Sequence, residues 1–114
     1  MPRRDDIVLL HDMLDAIRQI ELYLNRVSYR RFVATRLLQD GVAHQLEIIG
    51  EAARNLSEDF REQHSEMPWQ DIIGMRNRIA HAYFSVDVRA VWDTTKSDLP
   101  TLRAQIEQIL GEAA

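Results

Sequence analysis

One stretch of the sequence, GMRNRIAHAY at positions 74–83, groups side chains that could carry out a reaction. The guanidinium of Arg76 can stabilise charge that develops on a phosphoryl group. The imidazole of His81 can take and give protons near neutral pH. Asn77 and Tyr83 add hydrogen-bond donors without net charge, which helps to hold a phosphodiester in one pose. This set suits phosphodiester cleavage without a metal, and RNA is the favoured substrate because its 2′-hydroxyl is an internal nucleophile that His81 could deprotonate.

The spacing of these residues limits how they can act together. An α-helix turns about 100° per residue, so Arg76 and Tyr83 lie nearly in line, and Asn77 shares a face with His81. Arg76 and His81 lie roughly 140° apart on a straight helix. Either the helix bends or ends near His81, or a second surface completes the site, and an identical subunit paired along this helix would supply that surface. The motif alone also fits a salt-bridged, partly buried helix surface, which is the commoner situation.

Length and composition indicate one domain spanning residues 1–114, with no sulfur chemistry. The chain has 114 residues and no cysteine, which excludes disulfides, a thiolate nucleophile and zinc bound by sulfur. No stretch approaches the roughly 18 apolar residues that would span a membrane. We therefore expect an unexported, cytoplasmic protein without a membrane partner.

The charge distribution is more informative than the net charge. A net charge of -4 argues against non-specific coating of nucleic acid. Residues 1–36 nevertheless hold seven arginines and five acids, and the run from Arg26 to Arg36 contains no acid. Arg26, Arg30, Arg31 and Arg36 could contact phosphates there, and the rings of Tyr29 and Phe32 could stack on bases. The alternative, which we favour, is that Phe32 belongs to the core and Tyr29 to a helix start.

Apolar residues recur with helical periodicity, and no strand pattern is present. The stripes predict helices from about Asp5 to Asn25 and from about Tyr29 to Leu56, with Ser28 and Ser57 as caps. A short acidic helical turn follows, and then a helix that begins near Pro68 and carries the motif. Asp87 is expected to cap the next segment. Asp98 and Pro100 are expected to restart the chain for a last helix that ends near Gly111. Gly41 and Gly50, inside the second helix, suggest close backbone approach by a neighbour. The predicted fold is all-α, an antiparallel bundle of about four to five helices.

Other polar residues give weaker signals. The four histidines, His11, His44, His64 and His81, lack the spacing of a zinc site, so we predict no metal. Glu47 and Glu51 share a helix face, where solvated charge is the simpler interpretation. Trp69 and Trp92 are expected to anchor the core.

The motif and its surroundings resemble a known family. RNRIAHAY is similar to the Arg, four residues, His, any residue, Tyr motif of the HEPN superfamily, specifically the HepT-like ribonuclease toxins. The phrases LEIIGEAARNLS, PWQDIIGMRN and YFSVDVRAVWDTTKSDLPTL also resemble that family, in the same order. The first thirty residues match only in their helical pattern.

This resemblance implies a homodimeric helical bundle that cleaves RNA without a metal or other cofactor, in a cleft lined by the motif helices of two subunits. Arg76 would bind the scissile phosphate, His81 would transfer protons, and Asn77 would position one of them. Tyr83 would be the residue that a partner nucleotidyltransferase, the antitoxin, modifies with AMP. The alternative is a non-catalytic helical dimer that binds a nucleotide or regulates that nucleotidyltransferase.

Overall fold

The fold consists of helices throughout the part of the chain that the structure, a computed structural model, describes: residues 3–75 and 88–113. Within these ranges no strand occurs, and the prediction of an all-α fold is confirmed. The helices are α1 (Arg4–Tyr23), α2 (Tyr29–Ala34), α3 (Arg36–Asn55), α4 (Glu58–Gln63), α5 (Trp69–Ile73), α6 (Val88–Asp93) and α7 (Leu99–Ala113), with a π-helical segment at Thr94–Asp98 between the last two.

The two longest helices, α1 and α3, form an antiparallel pair at the centre of the fold. Both have the apolar stripe expected from the sequence, and its residues are buried: Leu10, Met13, Leu14, Ile17 and Ile20 on α1, and Val42, Leu46, Ile49 and Ala53 on α3. The antiparallel direction follows from contacts at the two ends. Asp6 bonds to Ser57 just beyond α3, whereas the ring of Tyr23 lies against Gly41 near the start of α3.

The long helix predicted from Tyr29 to Leu56 is wrong, because the chain breaks at Thr35. Thr35 has extended backbone angles (φ -120°, ψ 95°) and separates α2 from α3. Its hydroxyl donates to the carbonyl of Arg31 at 2.6 Å, and the Gln39 amide donates to the carbonyls of Phe32 and Val33 at 3.0 and 2.9 Å. These side chains add hydrogen bonds to carbonyls in the last turn of α2, where the backbone N–H of Thr35 also bonds to the carbonyl of Phe32. The break also turns α2 so that Phe32 is fully buried.

Both predicted serine caps are confirmed. The Ser28 hydroxyl accepts from the backbone N–H of Arg31 at 3.1 Å, and the Ser57 hydroxyl accepts from that of Phe60 at 3.2 Å. Each cap satisfies an N–H that the first helical turn leaves unbonded.

A buried carboxylate connects α1 to the start of α4. Asp6 is only 2% exposed, and it accepts hydrogen bonds from the Ser57 N–H at 2.8 Å and the Ser57 hydroxyl at 2.7 Å. Nearby on the surface, Arg3 bonds to Asp59 at 3.1 Å. The N-terminal turn of α1 is thereby fixed to a residue 51 positions further along the chain.

The predicted last helix is present and begins at Leu99, but no break precedes it, because the backbone stays helical from Val88 to Ala113. Proline lacks an N–H and clashes with the carbonyl four residues earlier, here that of Lys96. The π-helical segment accommodates Pro100 by widening the turn before it, and the N–H of Leu99 bonds to the carbonyl of Thr94, five residues back. The proline therefore distorts the helix without ending it.

An exposed ion-pair network joins α7 to α1. Arg103 donates to both carboxylate oxygens of Glu21, at 2.5 and 2.7 Å, and to Glu107 at 2.6 Å. Hydrogen bonds to Glu21, and then to Glu107, raise the pKa of Arg103 above its ordinary value. This network fixes the C-terminal helix to α1.

Gly41 has a close neighbour, but it is a side chain and not the backbone we predicted. A Cβ built on Gly41 would lie 3.3 Å from Cε2 of Tyr23. Gly50 is buried in the same helix. The glycine at 41 therefore leaves room for the aromatic ring that ends α1.

Candidate functional site

The four predicted site residues, Arg76, Asn77, His81 and Tyr83, lie outside the described residues, as does the predicted cap Asp87. The structure does describe the two segments that flank them. One runs from Pro68 to Met75 and the other begins at Val88, five residues after Tyr83. The packing of these two flanks shows which parts of the fold the chain contacts just before and just after the motif.

The upstream flank is held by aromatic and apolar contacts. Trp69 is buried, packs edge-on against Phe60 with ring centroids 5.9 Å apart, and donates its indole N–H to the carbonyl of His64 at 2.9 Å. Ile72 and Met75 are buried in the core, and α5 packs against α3. The expectation that Trp69 anchors the core is confirmed. Arg76 therefore follows directly on a residue, Met75, that is fixed in the core.

A groove of about 240 Å³ lies beside this flank, between α5 and the C-terminal helices. Its apolar floor includes Ile72, Met75 and Leu102, and its polar lining comprises Asp71, Ser97, Asp98, Thr101 and Gln105. The polar groups can both donate and accept hydrogen bonds, and Met75 is adjacent in sequence to Arg76. The groove therefore offers hydrogen-bonding side chains next to Met75, the residue that precedes Arg76 in the chain.

The downstream flank packs on α2. The indole of Trp92 contacts Phe32 and Tyr29, with centroid separations of 5.3 and 5.6 Å, and Lys96 lies over the indole at 4.6 Å. The guanidinium of Arg89 lies 4.6 Å from the centroid of the Tyr29 ring. Trp92 is only partly buried, so it joins α6 to α2 at the edge of the core. These contacts bring α2 next to the segment that follows the motif.

The arginine run identified in the sequence is thereby located beside the motif's downstream flank. Arg26, Arg30 and Arg31 are exposed, and none of them forms an ion pair with a carboxylate in the described part of the chain. Arg36 bonds to Asp40 at 3.1 Å. Arg26 has a left-handed backbone (φ 59°) in the turn between α1 and α2. The surface of α2 thus presents cationic side chains to solvent at this end of the molecule.

The aromatic residues of the run do not serve as the base-stacking platform that we considered. Phe32 is 0% exposed, and Tyr29 is the first residue of α2, partly buried against Trp92 and Arg89. The favoured interpretation, a core phenylalanine and a helix-start tyrosine, is confirmed. Phosphate contact through guanidinium groups is the chemistry that this surface can provide.

The remaining polar candidates have structural surroundings. His64 stacks on Phe60 at 4.5 Å and lies 3.6 Å from Glu66, whereas His11 and His44 are exposed. Within residues 3–75 and 88–113, no three of the possible metal ligands among histidine, aspartate and glutamate are grouped to hold an ion. Glu47 is exposed on α3, and Glu51, 3.9 Å from Arg54, lines the groove between α1 and α3.

Sequence reasoning missed the polar lining of the groove beside Met75. Asp71 lies 27 residues before Asp98 and shows no motif spacing with Asp98 or Gln105, so only the fold, which sets α5 beside the C-terminal helices across the groove, brings them together. Pro100 was the available signal, because a proline within a helical pattern indicates local distortion, and irregular π-helical turns are frequent at functional sites.

The described residues are helical, and in the sequence the polar motif follows a buried segment and precedes one that packs beside the arginines of α2. Comparison with known proteins identifies the family of the chain. The family model described as ribonuclease HepT-like matches residues 13–109, and the chain belongs to this family of the HEPN superfamily. Three curated relatives illustrate the similarity.

A protein of Thermococcus cleftensis, named "Probable ribonuclease HepT", is 40% identical over 100 residues, which cover 88% of this chain and 91% of the relative. A protein of Caldanaerobacter subterraneus, named as a candidate RNase, is 40% identical over 97 residues, covering 82% of this chain and 87% of the relative. A similarly named protein of Methanocaldococcus jannaschii is 33% identical over 107 residues, covering 94% and 98%. No solved structure matches the chain at a significant level. No helix in the described ranges is long and apolar enough to cross a membrane.

Proposed function

We propose that this protein is a metal-independent endoribonuclease that acts as a homodimer, with Arg76 and His81 as its catalytic residues. Membership of the HepT-like ribonuclease family is the observation that carries the proposal. The motif residues supply the chemistry. The arginines of α2, next to the motif's downstream flank, supply a surface that suits an RNA backbone.

In the proposed reaction, His81 removes the proton of the RNA 2′-hydroxyl, and the 2′-oxygen attacks the adjacent phosphorus. The bond from phosphorus to the 5′-oxygen breaks, and the protonated His81 returns its proton to that oxygen, which leaves as a hydroxyl. The products are a 2′,3′-cyclic phosphate and a 5′-hydroxyl end. Arg76 stabilises the negative charge that accumulates on the phosphoryl oxygens during the attack. Asn77 and Tyr83 hold the phosphodiester in position by hydrogen bonds.

The proposed dimer solves the geometric problem of the motif. Five residues separate Arg76 from His81, so one straight helix cannot direct both at one phosphate. Two motif helices facing each other across a two-fold axis would place the arginine of one subunit near the histidine of the other. The cleft between them would hold the RNA.

Regulation would occur at Tyr83. The proposed partner is a nucleotidyltransferase antitoxin, which would transfer AMP from ATP to the phenol oxygen of Tyr83 and release pyrophosphate. A bulky anionic group beside the cleft would exclude RNA by both its volume and its charge. The chain would thus be the toxin of a toxin–antitoxin pair in the cytoplasm.

The test is RNA cleavage by purified protein that has been stripped of metal with a chelator. We expect cleavage to continue in the chelator and the product to carry a 2′,3′-cyclic phosphate. An RNA with a 2′-deoxy residue at the cleaved position should resist. Loss of activity in chelator that returns with a divalent ion would refute metal independence. Tight nucleotide or partner binding without any RNA turnover would instead support the non-catalytic alternative.

A further inference from the structure

The groove between α5 and the C-terminal helices is lined by one face of each of two helical segments. The two sets of lining residues share the spacing i, i+3, i+4 and i+7: Pro68, Asp71, Ile72 and Met75 along the α5 segment, and Asp98, Thr101, Leu102 and Gln105 along the C-terminal segment. Side chains at this spacing lie on one face of a helix. Two helical faces therefore meet at one groove, and each contributes both apolar and polar groups.

The size and the floor of this groove suit a small flat ligand. Ile72, Met75 and Leu102, which form the floor, are at most 4% exposed. Sites for small molecules combine apolar walls with a few polar groups, and those that hold drug-sized ligands measure about 300–1,000 Å³. The groove measures about 240 Å³. It therefore suits a group as small as a single nucleobase.

Most of the polar lining takes no part in holding the fold together. In the part of the chain that the structure describes, four of the lining residues form no side-chain hydrogen bond or ion pair: Ser97, Asp98, Thr101 and Gln105. The nearby hydroxyls of Thr94 and Thr95, in contrast, bond to carbonyls one turn earlier, at 3.0 and 2.7 Å. The donors and acceptors of the groove are therefore available to a ligand.

The two carboxylates of the groove determine which chemical groups it can accept. Asp71 and Asp98 repel phosphate, and they accept hydrogen bonds without donating any. Among the RNA bases, adenine, cytosine and guanine each have an exocyclic amino group that donates hydrogen bonds, whereas uracil has carbonyl oxygens only. Aspartate and glutamate read the amino group of cytosine in this way in nucleic-acid complexes. The amide of Gln105 can donate to a ring nitrogen or carbonyl of the same base.

We propose that this groove binds the base of a nucleotide next to the cleaved linkage, and that Asp98 makes it select bases with an exocyclic amino group over uracil. The inference rests on the proposed ribonuclease activity, because Met75 of the groove is bonded to Arg76, which is proposed to hold the scissile phosphate. Sequence-specific recognition of RNA acts on unstacked, single-stranded bases through hydrogen bonds to their edges. Asp98 and Gln105 would read that edge, and the apolar floor would contact the face of the ring.

The test compares the binding of two short, fluorescently labelled oligomers, one of cytidine and one of uridine, to the purified full chain. Fluorine replaces every 2′-hydroxyl, so neither oligomer can be cleaved. The two oligomers have the same phosphate backbone, so the ratio of their dissociation constants isolates the contribution of the base. The parent should bind the cytidine oligomer roughly fivefold to tenfold more tightly, at the low end of base discrimination because the groove is open to solvent.

Asp98→Asn should reduce this preference to less than about twofold, because an amide both donates and accepts and so tolerates either base. Asp12→Asn is the matched control, since it removes the same charge from an exposed residue of α1 that lines a different groove. It should keep the preference of the parent. Gln105→Leu should also lower the preference, because the donor to the ring of the base is lost. Circular dichroism of Asp98→Asn should match that of the parent, because Asp98 is exposed.

Three results would overturn the proposed base site: equal or tighter binding of the uridine oligomer by the parent, the same preference in Asp98→Asn as in Asp12→Asn, or no binding of either oligomer. The outcome can be separated from that of the proposed ribonuclease activity. If the binding preference depends on Asp98 and the parent never cleaves the matching RNA, only the catalytic proposal fails. If the parent cleaves RNA and binds the two oligomers equally, only the base site fails.

Discussion

Asp6→Ala should destabilise the fold far more than its place in the first turn of a helix suggests. The substitution removes the acceptor of two hydrogen bonds from Ser57, at 2.8 and 2.7 Å, in a site where Asp6 is 2% exposed. A hydrogen bond to a charged group contributes about 1.5–3 kcal/mol, and a buried N–H left without an acceptor costs about 1–3 kcal/mol. Removing the buried carboxylate also relieves its desolvation cost, which lowers the net effect. We therefore expect a loss of about 2–4 kcal/mol in the free energy of unfolding.

The assay is chemical denaturation followed by circular dichroism, with Asp5→Ala as the control. Asp5 lies in the same helical turn but is exposed, so it shares only the interaction with the helix dipole. We expect that control to lose less than about 1 kcal/mol. A double-mutant cycle with Ser57→Ala should show strong coupling between Asp6 and Ser57. If Asp6→Ala lost no more stability than Asp5→Ala, the hydrogen bonds between Asp6 and Ser57 would not stabilise the fold as described.

Three further predictions concern packing, RNA binding and modification. Gly41→Ala should stabilise the fold by up to about 1 kcal/mol, measured by denaturant unfolding, because alanine favours the helix. The half-exposed Tyr23 ring can make room for the added methyl group by shifting a few tenths of an ångström. A clear loss of stability would show that the ring cannot move. Replacing Arg30 and Arg31 by glutamine should weaken RNA binding and reduce the salt slope of the binding constant by about 1.4, whereas an unchanged slope would place RNA elsewhere. Tyr83→Phe should prevent AMP transfer by the partner, and RNA cleavage should continue at a reduced rate because the positioning hydrogen bond of the phenol is lost. Labelling of this variant would assign the modification to another residue.

A matched control for the arginine variant is Arg54→Gln, since Arg54 is exposed near the end of α3, away from α2. It should leave the salt slope unchanged. Equal effects of the two substitutions would indicate that RNA responds to the overall charge and not to the α2 surface.

Residue type and apolar periodicity correctly predicted the helix features that depend only on residues close together in the sequence. The caps at Ser28 and Ser57 and the bounds of α1 follow from residue type and periodicity. The break at Thr35 was missed because the apolar stripe continues across it and no glycine or proline marks the position. It depends on side-chain bonds from Thr35 and Gln39 to carbonyls, which periodicity does not show.

Long-range contacts explain what else the sequence could not predict. The sequence indicated only that Asp6 favours a helix start. Its bond to Ser57 could not be predicted, because the two residues lie 51 positions apart. Pro100 was expected to mark the start of a separate helix, but the π-helical segment before it accommodates the proline without a break in the helix. For the candidate site, residue types alone suggested the chemistry, and only the packing of Arg89 and Trp92 on Tyr29 brought the arginine run next to the motif's flank.

The single-turnover rate of RNA cleavage by His81→Ala, in metal-free protein, tests the central claim most directly. Loss of a general acid–base group should slow cleavage by roughly 100-fold to 10,000-fold. RNA affinity and helical circular dichroism should stay close to those of the parent, and raising the pH should not restore the rate. A His81→Ala protein that cleaves the same RNA as fast as the parent, to the same cyclic phosphate end, would contradict the account.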